Sequence, residues 1–271
     1  MLQKLKHTFE KILILQYRLC RIFDRLFPSY MRIWGYREFV LKILPSMLEP
    51  GLMVVDVGGG KRPVITRAQK NLHQLKVIGL DLSAEELALA PEGIYDQTLV
   101  ANICNLTQAP MGDLVIALAV LEHVRDTDSA MKNIAAIVRP GGRALVFVPC
   151  RNSLFARLNL ALPEWLKRKL LDLFFGRTSS QQGFKSFYNL CSPAELKKLA
   201  QKHGLEVEEE ICYFQSAYFT MFLPLHVIYR LVAFLLVKII GNQAAETFTL
   251  VLRRPGSKKC EDAISPASIK A

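Results

Sequence analysis

Five short apolar runs alternate with helical stretches between residues 50 and 150, and this alternation limits the folds that the chain can adopt. The runs are rich in β-branched residues: MVVDV, KVIGLD, TLVA, DLVIAL and RALVFV. Three of the stretches between them have helical composition: TRAQKNLHQL, SAEELALA and HVRDTDSAMKNIAAIV. Strands that alternate with helices form βαβ units, in which helices cover both faces of a parallel sheet. The pattern therefore predicts an α/β fold with a doubly wound sheet.

Helices and strands are also predicted on both sides of this region. Residues 1–48 carry apolar side chains at spacings of three and four with cations between them, which predicts N-terminal amphipathic helices. Residues 192–203 predict a helix with Ser192 as its N-cap. The strand-like runs EVEEEICYF and ETFTLVLRR follow, with a long apolar segment between them. The polar tail, residues 256–271, is expected to be disordered.

Charge and cysteine usage indicate the kind of partner and the compartment. The formal net charge of +11 favours an anionic partner such as nucleic acid, anionic lipid or a phosphorylated substrate. The six cysteines contain no CxxC pair, which indicates free thiols rather than a disulfide framework or a zinc site. The N-terminal cations are spread among apolar residues and no small-residue cleavage site follows, so no secretory signal is predicted. We therefore expect a cytoplasmic protein.

Three consecutive glycines, Gly58–Gly60, follow the first predicted strand and precede a helix. Such a turn brings backbone N–H groups close to a ligand, because glycine lacks the Cβ that would block the approach. Glycine-rich turns between a strand and a helix also occur at dinucleotide-binding sites, and some are tight turns that bind no ligand. Asp81 ends the next strand, where a carboxylate can accept hydrogen bonds from both hydroxyls of a ribose. Its alternative role is to cap the following helix, although Ser83 can serve that purpose.

Taken in order, five segments of the chain resemble the class I S-adenosylmethionine-dependent methyltransferases, in particular the small-molecule, methyltransferase type 11-like group. The segments are VVDVGGGKRP, GLDLS, ANICNL, GDLVIALAVLEHV and IVRPGG. The resemblance is close over residues 50–150 and looser over residues 186–253. It implies a Rossmann-like, seven-stranded, mostly parallel sheet with helices on both faces, within a domain spanning residues 49–255. The N-terminal helices and a basic, apolar insertion at residues 151–190 would be additions to that domain.

The same resemblance implies S-adenosylmethionine as the cofactor. Asp56, Gly58 and Gly60 would hold its methionine end, and Asp81 with Leu82 would hold its ribose. The complete set of implied cofactor-binding residues is Asp56, Gly58, Gly59, Gly60, Asp81, Leu82, Asn102, Ile103 and Ala119. Within this set, Asn102 and Ile103, which follow the third strand, would flank the adenine. The backbone near Ala119 would close the pocket.

Two positions depart from the pattern of the family. Arg62, followed by Pro63, stands where a third glycine is frequent, and Asn102 stands where an aspartate usually contacts the adenine amino group. An asparagine carbonyl can still accept a hydrogen bond from that amine. We therefore expect a weaker or altered grip on the adenine rather than none.

Glu122 and His123 follow the fourth strand and are the candidate catalytic residues. Methyl transfer is an in-line displacement that needs alignment and the removal of water, and a base only when the acceptor is a poor nucleophile such as a hydroxyl. The alternative role for His123 is a structural hydrogen bond at the start of the helix. Relatives with a Glu-x-x-Glu-His pattern bind a divalent metal, but the first glutamate position is Ala119 here, so no metal site is predicted.

Residues 151–190 mix leucines and phenylalanines with an excess of cations. In the family that the chain resembles, the segment after strand five often forms a cover over the substrate. The alternative is a basic helical lid that simply packs on the sheet.

Residues 218–241 form the most apolar part of the chain. Pro224 interrupts it, and on a helix His226, Arg230 and Lys238 would share one sector of about 120°, leaving a broad apolar face. This arrangement favours an interfacial or packing helix over a transmembrane one. Together with the N-terminal helices it predicts peripheral contact with anionic lipid, unless both elements are core or dimer helices.

The sequence thus predicts an S-adenosylmethionine-dependent methyltransferase that O-methylates a lipophilic or lipid-linked small molecule or glycan at the inner membrane face. One alternative is an RNA methyltransferase. The cations lie among aliphatic leucines rather than exposed aromatic residues, which favours lipid over nucleic acid. The other alternative is a non-catalytic binding or scaffold protein whose cofactor pocket is degraded through Arg62 and Asn102.

Overall fold

The computed structural model describes residues 2–108, 110–163, 165–167, 169, 184–216, 218–220 and 222–256, with side chains from residue 11 onwards. The predicted disordered tail lies outside these residues apart from Gly256, and so does much of the predicted cover at residues 151–190.

A seven-stranded sheet forms the centre of the described structure, with the strand order β3-β2-β1-β4-β5-β7-β6. All neighbouring pairs from β3 to β5 are parallel, whereas β7 is antiparallel to both β5 and β6. The strands are β1 (Met53–Val57), β2 (Lys76–Asp81), β3 (Gln97–Val100), β4 (Gly112–Leu118), β5 (Val138–Pro149), β6 (Glu206–Tyr213) and β7 (Thr247–Arg253). The predicted α/β fold with a mostly parallel, seven-stranded sheet is confirmed.

The α-helices whose bounds lie within the described residues surround the sheet. They are α1 (Leu2–Asp24), α2 (Gly35–Glu38), α3 (Leu44–Ser46), α4 (Arg67–Leu72), α5 (Ala84–Ala88), α6 (Thr127–Ile137), α7 (Leu154–Ala161), α8 (Pro193–Lys202) and α9 (Leu223–Ile240). A π-helical turn, Phe39–Ile43, joins α2 to α3. Side-chain caps define several helix starts: Ser83 accepts from the Glu86 N–H, and Ser192 accepts from the Glu195 N–H, as predicted for Ser192.

Helices cover both faces of the sheet and bury two apolar cores. One core joins the helices α6 and α8 to β4, β5 and β7, and includes Met131, Ile134 and Leu196. The other joins the segment after α2 to the opposite face through Phe39 and Leu44. Burial of these side chains is the main favourable term in folding. The N-terminal segment therefore contributes to the core of the domain as well as carrying the long helix α1.

The parallel strands end at one edge of the sheet, and this shared edge positions the functional residues. In a doubly wound sheet, ligands bind outside the carboxyl ends of the strands. β6 is antiparallel to β7, as β5 is, so β6 points the same way as β1–β5. The chain that follows β6, beginning at Phe214, therefore lies at the same edge as the chain that follows β1, β2 and β4.

Candidate functional site

A pocket opens at the carboxyl edge of the sheet, between the ends of β1, β2 and β4 and the turn that follows β3. Seven of the residues predicted from the sequence line it: Gly58, Asp81, Leu82, Asn102, Ile103, Ala119 and His123. The other four, Asp56, Gly59, Gly60 and Glu122, lie beside it or behind its wall. The pocket thus brings together residues from four separate connections of the chain.

The glycine turn has the conformation that its sequence suggests. Gly58 and Gly60 have φ values of +71° and +46°, in the left-handed region that favours glycine. A Cβ on Gly58 would lie 2.5 Å from Val120 Cγ2, and a Cβ on Gly60 would lie 3.1 Å from Asp81 Oδ2. The turn therefore packs against β2 and β4 with no room for side chains.

The backbone amides of the turn differ in whether they are available to a ligand. The N–H of Gly58 donates to the Leu80 carbonyl at 2.6 Å. Among the described residues, no hydrogen bond involves the N–H of Gly59 or Gly60. These two amides, rather than that of Gly58, are the donors that the turn offers.

Asp56 holds the turn from behind the pocket. Its side chain is buried, and Oδ2 accepts hydrogen bonds from the Val64 N–H at 3.1 Å and from the Tyr95 hydroxyl at 3.2 Å. Burial raises the pKa of Asp56 to about 6, and these two hydrogen bonds partly oppose the rise. The geometry supports a positioning role for Asp56, because its carboxylate fixes both ends of the glycine turn.

Asp81 lies where the sequence predicts a ribose-binding carboxylate. Its Oδ1 accepts from the Ser83 N–H at 2.9 Å, whereas Oδ2 faces Gly60. Ser83 caps α5 with its own hydroxyl, so the alternative role of Asp81 as the N-cap is taken by Ser83. The neighbouring Leu82 is 68% exposed and offers the pocket an apolar surface.

Asn102 and Ile103 form the wall that follows β3. Asn102 Oδ1 accepts from the Cys104 N–H at 2.9 Å and caps the short 3₁₀ turn Ile103–Asn105. The oxygen predicted to accept from an adenine amine is therefore already in use, which leaves its second lone pair and the amide N–H groups for a ligand. Ile103 is buried beneath this cap and contributes apolar surface to the pocket.

Ala119 ends β4 in a conformation that side chains rarely adopt. Its φ is +56°, and its N–H donates to the Phe147 carbonyl at 2.9 Å. A non-glycine residue in the left-handed region carries a conformational cost and often marks a functional site. Here it turns the chain from β4 into the 3₁₀ turn Leu121–His123 and aims His123 at the pocket.

Glu122 and His123 are neighbours in sequence but have different environments. His123 lines the pocket, and its Nδ1 lies 3.1 Å from the Lys185 carbonyl oxygen. A carbonyl can only accept, so Nδ1 carries the proton and Nε2 keeps a free lone pair in the neutral ring. Burial lowers the pKa of His123, although the bond to Lys185 opposes the shift, so the neutral form is favoured.

Glu122 lies behind the pocket wall in the interior. It is buried, its Oε2 has no hydrogen-bond partner among the described residues, and its Oε1 lies 3.7 Å from His123 Nε2. Burial raises its pKa to about 8. Because the pKa of His123 is lowered and that of Glu122 is raised, the pair is neutral near pH 7 and is not an ion pair.

Two aromatic residues of the site escaped the sequence analysis. Tyr95 bonds Asp56 and reaches the Gly60 carbonyl at 3.4 Å, in a loop with no recognisable motif. Phe184 is 68% exposed, lines the pocket, and lies edge-on to His123 with ring centroids 6.3 Å apart. The two phenylalanines in the stretch GFKSF, residues 183–187, are the one sequence feature that could have indicated Phe184.

Among the described residues, no group of three His, Cys, Asp or Glu side chains has the geometry of a metal site.

The sequence is similar to a family of known proteins and to individual members of it. A family model described as "Methyltransferase domain" matches residues 15–210. The chain is 27% identical over 167 residues to the ubiquinone biosynthesis O-methyltransferase of Aeromonas salmonicida (strain A449), covering 59% of this chain and 65% of that protein. It is 29% identical over 166 residues to the protein of that name from Thiobacillus denitrificans (strain ATCC 25259 / T1), covering 59% and 66%. The matched region therefore spans just under two thirds of these relatives.

Solved structures share the fold at low sequence identity. A complex of the Haloferax volcanii Trm112 methyltransferase activator and a putative methyltransferase matches with a TM-score of 0.54 and 20% identity, over 83% of this chain and 92% of that chain. The cyclopropane synthase MmaA2 from Mycobacterium tuberculosis matches with a TM-score of 0.50 and 17% identity, over 91% and 98%. At these identities the likeness is one of fold.

Proposed function

The chain belongs to the methyltransferase domain family, and from this premise we propose that it transfers a methyl group from S-adenosylmethionine to an oxygen atom of a lipophilic or lipid-linked small molecule or glycan at a membrane surface. One observation carries this function. A carboxylate (Asp81), two backbone amides without partners in the described structure (Gly59 and Gly60) and a neutral imidazole (His123) meet at or beside one pocket.

The residues of the pocket fit S-adenosylmethionine. The free amides of Gly59 and Gly60 can donate to the carboxylate of the methionine end, and Asp81 Oδ2 can accept from ribose hydroxyls. The exposed side chain of Leu82 can pack on the nucleoside. When bound, the cofactor would supply a methyl group on a positively charged sulfonium sulfur, which would leave as a neutral thioether in the in-line displacement.

His123 is the candidate catalytic base for an oxygen acceptor. A hydroxyl is a poor nucleophile until its proton is removed, and the free Nε2 of neutral His123 can take that proton. Buried Glu122 is protonated near neutral pH, which keeps a negative charge away from the imidazole. We assign Glu122 a positioning role, because its backbone carbonyl also accepts from the Phe187 N–H at 2.7 Å. The relatives named O-methyltransferases support an oxygen acceptor.

The apolar character of the acceptor is supported by the mouth of the pocket. Exposed Phe184 and Leu82 border it. The segment at residues 184–190 reaches His123 through Lys185 and Ser186, as a substrate cover would. The relatives act in ubiquinone biosynthesis according to their names, and a quinone precursor is one acceptor of the proposed class. We place the protein in the cytoplasm, in peripheral contact with the inner membrane face.

Methyl transfer from tritiated S-adenosylmethionine into fractions of a cell extract tests this function. The purified chain is incubated with separated lipid, glycan and RNA fractions, and we expect label in the lipid fraction or in a lipid-linked glycan. The label should be released by conditions that cleave the methyl ether or ester formed on oxygen. Label in RNA would establish the RNA methyltransferase instead. No label, with no binding of the cofactor at millimolar concentration in calorimetry, would leave the scaffold.

A further inference from the structure

Helix α9 turns two of its polar side chains, His226 and Arg230, inward and exposes one of its apolar faces. His226 and Arg230 are fully buried, although they are among the few polar residues of the helix. The opposite face exposes Leu225, Ile228, Leu231, Leu235 and Ile239. By length and composition alone the segment Leu223–Ala244 could cross a bilayer, and only 22% of its apolar 18-residue window is buried in the described structure. A helix that exposes leucines and isoleucines along one whole face is unusual on a protein surrounded by water alone.

A buried ion pair fixes this orientation. Asp24, at the end of α1, lies 2.9 Å from both His226 Nε2 and Arg230 Nε. Burial raises the pKa of Asp24, but the hydrogen bond from His226 and the charge of Arg230 outweigh it and leave the pKa lowered. Arg230 also donates to the Phe214 carbonyl at 3.0 Å. Rotating α9 to hide its leucines would separate these charges, so the outward apolar face belongs to the folded state.

Helix α1, which packs against α9, and the turn that follows α1 expose a second row of apolar side chains. The side chains of Ile12, Leu15, Ile22 and Leu26 are exposed and follow one another at helical spacing. The adjacent face carries Arg18 and Arg21 of α1 and Arg25, the residue after its end, all of them exposed. Helices with an apolar stripe bordered by arginines are typical of the membrane interface, where the cations meet phosphate and the apolar side chains meet acyl chains.

Arg18, Arg21 and Arg25 line a cleft of about 1060 Å³ that is also lined by Arg32 and Arg37. Within the described part of the chain, none of these five arginines forms an ion pair. The two acidic residues of the cleft are already engaged, since Asp24 binds His226 and Arg230, and Glu38 binds Lys42 at 2.9 Å. The cleft therefore has an uncompensated positive charge that suits phosphate groups.

We infer that the exposed side chains of α1 and α9, together with these five arginines, form a docking face for an anionic lipid bilayer. The arginines bind lipid phosphates, and the aliphatic side chains enter the interface. This inference rests on the proposed function only for the lipophilic acceptor, to which the bilayer gives access. Two copies of the chain facing each other would oppose their arginine rows, so charge favours the bilayer over a second copy as the occupant.

The docking face and the pocket lie at the same edge of the sheet. Phe214 follows β6 at its carboxyl end and contacts Tyr30, beside the cleft, with ring centroids 5.9 Å apart. Gly35, next to the cleft residue Trp34, packs directly on Tyr213 and Thr247 at that edge. A membrane bound along α1 and α9 would therefore present its interface to the side of the molecule where methyl transfer is proposed.

Flotation of the full chain with vesicles tests the docking face. We expect binding to vesicles that contain phosphatidylglycerol and little binding to pure phosphatidylcholine, with loss of binding as salt is raised. The triple variant Arg18→Gln/Arg21→Gln/Arg25→Gln should bind at least a hundredfold more weakly, since each cation near an anionic surface contributes about fivefold. A matched control, Lys76→Gln/Lys132→Gln/Lys198→Gln, removes the same charge from exposed positions away from the face and should bind within about fivefold of the wild type.

The apolar part of the face is tested by Ile228→Ser/Leu235→Ser. Both side chains are exposed, so the fold and the cofactor affinity should persist while binding to vesicles falls at least tenfold.

The inference is overturned if the wild type stays unbound with anionic vesicles, or if the arginine and control triple variants lose equal affinity for them. It is also overturned if the serine variant turns a dimer into a monomer in sedimentation, because the occupant is then a second copy. A chain that binds cofactor and methylates a solubilised acceptor, yet does not float, contradicts the docking face alone. A chain that floats but binds no cofactor contradicts the proposed function alone.

Discussion

Asp81 divides its carboxylate between structure and ligand, with Oδ1 bonded to the Ser83 N–H and Oδ2 turned toward Gly60. Asp81→Asn keeps an oxygen for Ser83 but removes the charge offered to a ribose. Hydrogen bonds to charged groups contribute about 1.5–3 kcal/mol, so we expect the affinity for S-adenosylmethionine to fall by about tenfold to a hundredfold in calorimetry. The neighbouring Glu86→Gln is the control and should leave the affinity unchanged. Equal affinity in Asp81→Asn and the wild type would mean that the ribose binds elsewhere.

Among the histidines whose side chains the structure describes, His123 is the one that lines the pocket, and its Nε2 keeps a free lone pair. His123→Gln should lower the rate constant of methyl transfer by about 10²–10⁴, the usual contribution of a general base, with little change in cofactor affinity. His203→Gln, a change at a histidine bonded to Asp128, should keep the wild-type rate. Burial lowers the pKa of His123. As the pH is lowered, the wild-type rate should therefore begin to fall only below the usual pKa of a histidine. A rate that survives in His123→Gln would assign the histidine a structural role.

Glu122 provides a test of the buried carboxyl beside this base. Burial raises its pKa from 4.5 to about 8. Between these pH values the folded protein keeps a proton that the unfolded chain releases, so the free energy of unfolding falls as pH rises, by about 1.4 kcal/mol per pH unit. Glu122→Gln cannot ionise and should remove that part of the slope in urea unfolding between pH 5.5 and 7.5. The exposed Glu92→Gln should retain it, and identical slopes in all three proteins would show that Glu122 ionises normally.

At the scale of elements, the glycine turn is a single packed unit between β1 and α4. Gly58 has a left-handed conformation, and its missing Cβ leaves space for Val120. Gly93 has a similar φ of +73°, but no atom of the described residues lies within 4 Å of the place that a Cβ on Gly93 would take. The two glycines therefore separate the cost of backbone conformation from the cost of collision.

Gly58→Ala should lower the free energy of unfolding by about 2–4 kcal/mol, since conformational strain and overpacking add. Gly93→Ala should cost only about 1 kcal/mol, from the backbone alone. Cofactor affinity should fall in Gly58→Ala and stay constant in Gly93→Ala, as measured by urea unfolding and calorimetry. If both variants lose the same stability, the contact with Val120 is not tight in solution.

At the scale of the whole molecule, the pair of helices α1 and α9 joins two segments that are far apart in the sequence. Asp24 lies 202 residues before His226, and their hydrogen bond is buried together with Arg230. Asp24→Ala leaves the Arg230 guanidinium buried without its counter-charge, which should destabilise the fold by about 3–5 kcal/mol in urea unfolding. The double variant Asp24→Ala/Arg230→Met should recover much of that loss, because no buried charge remains. A single variant that is as stable as the wild type would show that α9 is not anchored through this pair.

The sequence by itself determined the order of strands and helices, the glycine turn and the position of Asp81. These features are local, because hydrophobic period, caps and turn residues act within a few positions along the chain. Only the tertiary structure decided where adjacent side chains point. Glu122 faces the interior and His123 the pocket because Ala119 turns the backbone just before them. It also decided which distant residues complete the site, as Phe184 lies over His123 although 61 positions separate them in the sequence.

The orientation of α9 shows the same difference between what the local sequence pattern determines and what tertiary contacts determine. The sequence predicted an apolar helix with its polar residues in one sector, since that pattern is a property of the helix alone. Whether the polar sector faces water or protein depends on the partner that contacts it. Asp24, at the far end of the chain, draws His226 and Arg230 inward through charge, and this leaves the leucines and isoleucines of α9 exposed.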